Sequence, residues 1–262
     1  MSSRFPDSAP YVPGCSSSVR LARYAERPAG SPAPENSAAE NCETWVVLGD
    51  VHGRIGRVRE IPELETAAGV ILTGDLTTLG GEVAARRVIE AIEAVHPAVF
   101  AQIGNMDRPE VNAWLESRGI NLHRQVRKLH PNVALLGVGG STFTPFGTPS
   151  EFPEARFSEW LEELAARAGS TKYLVLAAHN PPYNTACDRT SNGLHVGSSA
   201  VRAFIEEYQP AICLCGHIHE SVGIERLGRT IVANPGSFTA GCYALLHIMP
   251  SGLSVTLKKL ER

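Results

Sequence analysis

The feature that most constrains the fold is an alternation, from Thr44 onward, of short apolar runs with stretches of helical periodicity. The runs consist of β-branched and aliphatic residues, and each stops at a glycine or a polar residue, as buried strands do. They occupy residues 45–48, 70–72, 99–103, 133–138, 173–178 and 212–214. Alternating strands and helices are typical of layered α/β folds, so the pattern predicts an α/β domain.

Three helical patterns lie between these runs, at residues 82–95, 157–168 and 201–208. Gly169 is the predicted C-cap of the second helix, and Ser199 is the predicted N-cap of the third. After Gly216 the pattern changes to short strands separated by tight turns, at residues 230–233, 243–248 and 253–257. This change predicts that the sheet finishes with antiparallel hairpins.

The first 42 residues differ in composition from the rest of the chain. They are rich in Ser, Pro, Ala and Gly and lack apolar periodicity, which is typical of segments that do not pack into a core. We interpret residues 1–42 as a flexible tail, with a partner-binding arm as the alternative, and residues 43–262 as one domain. The domain is long enough to bury a large core without a disulfide or metal for stability.

Charge and hydropathy argue against several classes of protein. The formal net charge is −3, which gives no general basic excess for neutralising the phosphates of a nucleic acid. No apolar run approaches the roughly 18 residues of a membrane span, and the N-terminus lacks the apolar core of a signal peptide. The six cysteines are scattered rather than paired in a zinc or disulfide pattern. We therefore expect a cytoplasmic protein that does not enter membranes.

Polar side chains with metal-binding chemistry follow five of the predicted strands, at the point where each strand ends. They are Asp50 and His52, Asp75, Asn105, His179, and His217 with His219. The carboxyl ends of strands form the common ligand-binding edge of open α/β sheets, so these side chains are expected to meet in one cleft. His217 and His219 are two residues apart and would face opposite ways on a strand, so both must lie on the turn after Gly216.

Bound divalent cations would offset the unfavourable electrostatics of this cluster. Gathering two carboxylates and four imidazoles without cations is costly in desolvation and repulsion. Mixed carboxylate, imidazole and amide donors suit two borderline ions such as Mn²⁺, Fe²⁺, Zn²⁺ or Ni²⁺, whereas an all-oxygen site would suggest Mg²⁺ or Ca²⁺. The glycines that precede Asp50, Asp75, Asn105 and His217 are expected to let the backbone turn sharply.

The ordered motifs D-x-H, G-D, G-N-x-D, a lone His and G-H-x-H resemble those of the calcineurin-like metallophosphoesterase family. The resemblance covers residues 45 to about 240 and is specific as an ordered set. The segments 179–182, His-Asn-Pro-Pro, and 234–237, Asn-Pro-Gly-Ser, are similar to the YfcE-like bacterial and archaeal branch. The resemblance implies a four-layer α/β/β/α sandwich of two mixed sheets.

The same resemblance implies a ligand set and a reaction. Asp50, His52, Asp75 and His219 would bind one metal, and Asp75, Asn105, His179 and His217 would bind the second, with Asp75 bridging. A metal-bridging hydroxide would attack phosphorus in line, while Asn105 and His217 contact the phosphate. The substrate would be a small phosphate ester, and the family suggests a homo-oligomer.

One position departs from the family pattern. Many members have a histidine directly after the asparagine, where it is thought to protonate the leaving group, but here that residue is Met106. A thioether cannot donate a proton. Phosphodiesters with stable leaving groups are therefore favoured over monoesters, and His195 is the best substitute acid or phosphate contact, with a surface-loop histidine as the alternative. Arg108 either helps to bind a phosphate or is solvated.

Two alternative functions are compatible with the same fold, namely a non-catalytic metal-binding scaffold and a nuclease. The remaining histidines that end no strand within a motif are expected to be structural, namely His96, His123, His130 and His247. The glycine-rich run 137–142 is expected to be a loop near the metal edge rather than a dinucleotide site.

Overall fold

The computed structural model describes residues 42–261. The interpretation of residues 1–42 as a tail therefore falls, apart from Cys42, outside the described residues. The strands are β1 Glu43–Leu48, β2 Gly69–Leu72, β3 Val99–Ala101, β4 Gln125–His130, β5 Val133–Val138, β6 Tyr173–Ala178, β7 Ile212–Leu214, β8 Gly223–Leu227, β9 Thr230–Asn234, β10 Cys242–Met249 and β11 Gly252–Lys259. The α-helices are α1 Glu82–Glu93, α2 Pro109–Ser117, α3 Glu154–Ala168 and α4 Ser199–Tyr208.

The strands form two mixed sheets. The first has the order β11-β10-β1-β2-β3, and the second has the order β4-β5-β6-β7-β9-β8. β1, β2 and β3 pair in parallel, as do β5, β6, β7 and β9, while β10, β11, β4 and β8 pair antiparallel to their neighbours. The predicted antiparallel hairpins at the end of the chain are therefore confirmed.

The core consists of three apolar layers that follow from the two-residue repeat of a strand. In β1, Val46 and Leu48 pack with helices α1 and α2, whereas Trp45 and Val47 pack in the layer between the sheets. In β5, Leu136 packs against helices α3 and α4 on the far side of the second sheet. Because both faces of the central strands are covered, the architecture is the expected four-layer α/β/β/α sandwich.

Three elements were not predicted from the sequence. The edge strands β4 and β8 are half-buried and carry charged residues, so they lack the apolar runs that mark the central strands. Helix α2 begins with Pro109 directly after the motif segment. The strand predicted at 99–103 ends earlier, at Ala101, because the chain there already turns toward the site.

Helix ends differ from the predictions by a few residues. Helix α3 starts at Glu154 rather than residue 157, and its predicted cap Gly169 has a φ of 60°. Ser198, not Ser199, caps α4, because the Oγ of Ser198 accepts a hydrogen bond from the backbone N–H of Val201. Across residues 42–261, none of the helices combines the length and apolar character that crossing a membrane requires.

Candidate metal centre

The polar residues singled out in the sequence lie at the carboxyl ends of β1, β2, β3, β6 and β7. Their loops are joined by backbone hydrogen bonds, in which the N–H groups of Asp50 and His52 donate to the carbonyls of Gly74 (3.1 Å) and Asp75 (2.9 Å). The N–H of Gly216 likewise donates to the carbonyl of His179, at 3.1 Å. The backbone N–H of His217 donates to the carboxylate of Asp50, and this hydrogen bond joins the loops of the two sheets.

Four of the seven residues have an unusual backbone conformation. The φ angles of Asp50, His52, Asp75 and His217 are 52°, 47°, 50° and 68°, in the left-handed region that costs L-residues energy and recurs at functional sites. His217 and His219 both lie beyond Leu214, where β7 ends. The two histidines are therefore on the turn, as the sequence requires if both are to reach one site.

The glycines that precede the predicted ligands act mainly by lacking a side chain. A Cβ at Gly216 would lie 2.6 Å from Oδ2 of Asp50, and one at Gly104 would collide with the carboxylate of Asp75. Gly74, before Asp75, has a φ of 132°, whereas Gly49, Gly104 and Gly216 have no positive φ, so the expectation that these glycines turn the backbone holds at Gly74 only. Here they permit the close approach of neighbouring loops.

One group of donor atoms comes from Asp50, His52 and His219. The Nε2 of His219 lies 3.2 Å from Oδ1 of Asp50 and 3.2 Å from the Nε2 of His52. The donor atoms of the three residues all lie within 4.8 Å of one another. His52 is oriented from behind, because its Nδ1 lies 3.2 Å from the hydroxyl of Thr78, which is the kind of outer contact that fixes metal-binding histidines.

A second group comes from Asp50, Asp75 and His179, whose donor atoms also lie within 4.8 Å of one another. Oδ2 of Asp75 lies 3.6 Å from the Nε2 of His179 and 3.8 Å from the Nε2 of His52. Oδ1 of Asp75 instead accepts a hydrogen bond from the N–H of Met106, at 2.8 Å. One oxygen of Asp75 thus faces histidines of both groups, and the other is fixed by the backbone.

Asn105 and His217 complete the cluster. Oδ1 of Asn105 lies 3.1 Å from the Nε2 of His179, while its amide nitrogen donates to the hydroxyl of Thr148 at 2.9 Å. The ring of His217 lies 5.3 Å from that of His179, centre to centre. The N–H of His217 donates to the carboxylate of Asp50, with a distance of 3.1 Å to Oδ2. All seven predicted residues therefore come together at one edge.

The titration of the cluster reflects burial and close charges. Burial opposes the charged form of His179, but the charge and hydrogen bond of Asp75 outweigh it and raise its pKa to about 9. Burial and the neighbouring His179 lower the pKa of His217 to about 4. The hydrogen bond to Asp50 raises the pKa of His219. The raised pKa of His179 reflects the negative charge that Asp75 and Asp50 bring to this point, which is the charge that a bound cation would neutralise.

Asp107 has a role that the sequence analysis missed. It is fully buried and accepts hydrogen bonds from the backbone of Leu76, Thr77 and Gly104, at 3.0, 2.8 and 2.9 Å, and from the hydroxyl of Thr77 at 2.7 Å. Burial and the charge of Asp75 raise the pKa of Asp107 to about 7. Asp107 joins the loops of Asp75 and Asn105, and its place in the G-N-x-D motif was the available signal.

His195 lies on the loop that follows His179. Its Nδ1 is 2.6 Å from Oδ1 of Asp188, a fully buried carboxylate that also accepts the N–H groups of Asn184, Thr185 and Gly197. The same loop reaches the turn of His217 and His219. The N–H of Ser191 donates to Glu220 at 3.1 Å, and the side-chain amide of Asn234 donates to the carbonyls of Cys187 and Ile218.

The histidines expected to be structural have ordinary partners. His123 accepts the N–H of Gly139 at 3.0 Å and packs on Phe152 and Trp160. His96, His130 and His247 each contact nearby backbone or a threonine hydroxyl. The glycine-rich run enters a loop at this edge, where the N–H of Gly140 donates to the carbonyl of Ile103. The side chain of Arg108 is exposed.

Comparison with known proteins agrees with this geometry. The sequence model of the family described as calcineurin-like phosphoesterase matches residues 44–221. An uncharacterized protein of Methanocaldococcus jannaschii is 37% identical over 197 residues, which cover 72% of this chain and 86% of that protein. The 3′,5′-cyclic adenosine monophosphate phosphodiesterase CpdA of Escherichia coli K12 is 25% identical over 171 residues, covering 64% of this chain and 60% of that protein.

Solved structures share the fold. A protein of Thermus thermophilus is similar with a TM-score of 0.63 and 19% identity, over 84% of this chain and 100% of that one. A dimetal phosphatase from Danio rerio is similar with a TM-score of 0.58 and 12% identity, over 84% of this chain and 99% of that one. The family match spans most of the described residues and includes every predicted ligand from Asp50 to His219. The chain belongs to the calcineurin-like phosphoesterase family.

Proposed function

We propose that this protein hydrolyses small phosphodiesters at a dinuclear metal centre formed within a single domain, residues 43–262. The observation that carries the proposal is the convergence of donor atoms from Asp50, Asp75, His52, His179 and His219 in two groups that share Asp50. One cation would be held by Asp50, His52, Asp75 and His219. The second would be held by Asp75, Asn105, His179 and His217.

The donors present fit two borderline divalent cations. The Nε2 atoms of His52 and His219 face each other at 3.2 Å, close to the separation of two ligands on one ion with bonds of about 2.0–2.1 Å. The two groups share Asp50, but the oxygens of Asp50 contact His219 and the N–H of His217. Oδ2 of Asp75 instead faces both His52 and His179, which supports Asp75 as the bridging ligand. The nitrogen and oxygen donors suit Mn²⁺, Fe²⁺, Zn²⁺ or Ni²⁺.

Bound cations would lower the pKa of a water molecule and neutralise negative charge on the phosphate. The chain's own residues orient the reaction. Asn105 is held by Thr148 with its carbonyl oxygen turned toward the centre. His217 is kept neutral by burial, which lowers its pKa to about 4. A neutral imidazole at this position can serve as a ligand and contact a phosphate oxygen.

His195 is the proposed proton donor to the leaving group, with Asp188 as its positioning residue. Asp188 lies 2.6 Å from Nδ1 of His195, so the carboxylate fixes the orientation of the imidazole ring. The Nε2 atom is then free to donate. The loop that carries the pair is attached to the segment after His219 through Glu220, which supports a place beside the site.

A diester substrate is favoured over a monoester by two observations. Met106 stands where many family members have a histidine, and its thioether cannot protonate a leaving group. The relative named as a cyclic adenosine monophosphate phosphodiesterase acts, by its name, on a phosphodiester. A cytoplasmic location, a flexible tail at residues 1–42 and a homo-oligomer stay predictions.

The test uses purified protein loaded with Mn²⁺, Zn²⁺ or Ni²⁺ and two substrates, p-nitrophenyl phosphate and bis-p-nitrophenyl phosphate. We expect faster hydrolysis of the diester, loss of activity with a chelator, and loss of activity in Asp75→Asn. The matched control is Glu163→Gln, because Glu163 is exposed and remote from the centre. Tight metal binding with neither substrate hydrolysed would favour the non-catalytic scaffold instead.

A further inference from the structure

Exposed apolar side chains lie on the loops that follow or contact the proposed metal ligands. Phe146 and Phe143 are the most exposed large apolar residues of the described part of the chain, at 84% and 70%. Leu79, Tyr183, Leu194 and Val222 are also exposed, and they lie on the loops that follow Asp75, His179 and His219. Ligand sites combine apolar side chains with a few convergent polar groups, so these loops are candidates for contact with the organic part of a ligand.

The two phenylalanines lie on a short loop, Thr142–Thr148, which we call the phenylalanine loop. The hydroxyl of Thr142 accepts a hydrogen bond from the side-chain amide of Asn180 at 2.9 Å, and Asn180 is next to His179. The hydroxyl of Thr148 accepts a hydrogen bond from the side-chain amide of Asn105, also at 2.9 Å. Both ends of the loop are therefore attached to segments that carry proposed metal ligands.

A carboxylate holds the loop in shape. Glu151 accepts hydrogen bonds from the hydroxyls of Thr144 and Thr148, each at 2.5 Å, and from the N–H of Thr148 at 2.8 Å. The N–H of Ser150 donates to the carbonyl of Asn105 at 3.0 Å. The loop is thus attached to Asn105, a proposed ligand of the centre, and it presents two aromatic rings to solvent.

We propose that the phenylalanine loop binds a flat aromatic group on the ester side of the phosphate, as in a nucleoside phosphodiester. This inference rests on the proposed function, since the metal centre would hold the phosphate. An aromatic ring stacks on any nucleobase through its flat face. Two rings on a loop that is attached to Asn105 and Asn180 would favour esters that carry such a group over simple aliphatic ones.

The experiment compares adenosine 5′-monophosphate with ribose 5-phosphate, which carry the same phosphate and sugar and differ in the base. Binding of each to the manganese-loaded full chain is measured by calorimetry. Because one stacked base accounts for about a ten-fold change in affinity, we expect the nucleotide to bind at least about ten-fold more tightly. In the double variant Phe143→Ala/Phe146→Ala, the ratio of the affinity for adenosine 5′-monophosphate to that for ribose 5-phosphate should fall toward one.

Conservative and remote variants serve as controls. Phe146→Tyr should keep the ratio, because it keeps the ring. Tyr208→Ala removes an exposed ring at the end of α4, at the opposite edge of the sheet, and should also keep it. Phe146→Leu is a second test. The side chain is 84% exposed, so the replacement leaves folding intact, and the loss of the ring should lower the ratio of affinities.

The outcomes separate the two proposals. Equal affinities for the two ligands in the wild type would overturn the role of the phenylalanine loop and leave the metal centre intact. If neither ligand binds the manganese-loaded chain, both the phosphate site and the role of the phenylalanine loop are rejected. A ratio unchanged in the double variant, together with a smaller assembly in sedimentation, would overturn the proposal and assign the loop to a contact between copies.

Discussion

The Nε2 atoms of His52 and His219 lie 3.2 Å apart although 167 positions separate the two residues in the chain. Both nitrogens also face a carboxylate, since His219 lies 3.2 Å from Asp50 and His52 lies 3.8 Å from Asp75. One of the two nitrogens can donate a proton to the other, but a cation would accept electron pairs from both nitrogens and from the neighbouring carboxylates at once. This pair of histidines is therefore the clearest local sign of a metal site.

Metal binding should stabilise the fold. A cation that binds only the folded chain adds about 4 kcal/mol to the free energy of unfolding when its concentration is a thousand times its Kd. We expect a chelator to lower the melting temperature of the metal-loaded protein and excess Mn²⁺ to restore it. Calorimetric melting checks this, with Asp50→Asn as the variant that should lose the response. A chelator-insensitive melting temperature in the wild type would contradict the expectation.

Replacement of Asp107 should loosen the two loops that it joins. In Asp107→Asn an amide group would face four hydrogen-bond donors from Leu76, Thr77 and Gly104. Leaving buried donors unpaired costs about 1–3 kcal/mol each, so we expect a loss of at least about 2 kcal/mol in the free energy of unfolding. Urea denaturation measures it. Glu163→Gln, an exposed change, should alter stability by less than about 0.5 kcal/mol, and an equal effect of both would count against the prediction.

Removal of His195 should slow the reaction most where the leaving group needs a proton. We expect His195→Gln to lower kcat about 100-fold for methyl phenyl phosphate, the size typical of general acid catalysis. The loss should be much smaller for methyl p-nitrophenyl phosphate, whose leaving group departs without help. Asp188→Asn should show the same dependence on leaving group, and His130→Gln should show none. Equal losses with both substrates would assign a structural role to the pair.

The folded protein should become less stable as the pH is lowered, because of His123. Burial, and to a smaller extent the charge of Arg124, lower the pKa of His123 to about 4 from the ordinary 6.5. Between pH 6.5 and 4 the unfolded chain therefore binds a proton on His123 that the folded chain does not bind. The free energy of unfolding decreases as the pH falls through this range. The full loss is about 3 kcal/mol.

The pH prediction is checked with His123→Asn, whose side-chain oxygen can still accept the N–H of Gly139. At pH 7 the variant should be less stable, because it loses the packing on Phe152 and Trp160. Between pH 6.5 and 4.5 the difference in unfolding free energy from the wild type should shrink. A difference that stays constant with pH would show that His123 does not contribute this proton.

Much of the fold was predictable because the central strands are buried on both faces. Strands β1, β2 and β6 end in apolar runs, and their ends mark where Asp50, Asp75 and His179 lie. The edge strands β4 and β8 were missed, since their exposed positions carry charged residues. Placement after a strand was enough to bring the seven candidate ligands together.

Contacts made by loops were not predictable in the same way. The hydrogen bond between His195 and Asp188 joins residues seven positions apart, in a loop without the periodicity of a helix or a strand. The attachment of Thr148 to Asn105 spans 43 positions and depends on how β5 packs beside the end of β3. Such pairings follow from tertiary packing, which local sequence patterns do not encode.

The number of cations bound per chain tests the central claim most directly. The protein is saturated with Mn²⁺, separated from free metal, and analysed for manganese and protein by mass spectrometry and amino-acid analysis. We predict two ions per chain in the wild type and in Asp188→Asn, and one or none in Asp75→Asn, which lacks the proposed bridging carboxylate. One ion or none in the wild type, or two retained by Asp75→Asn, would contradict a dinuclear centre bridged by Asp75.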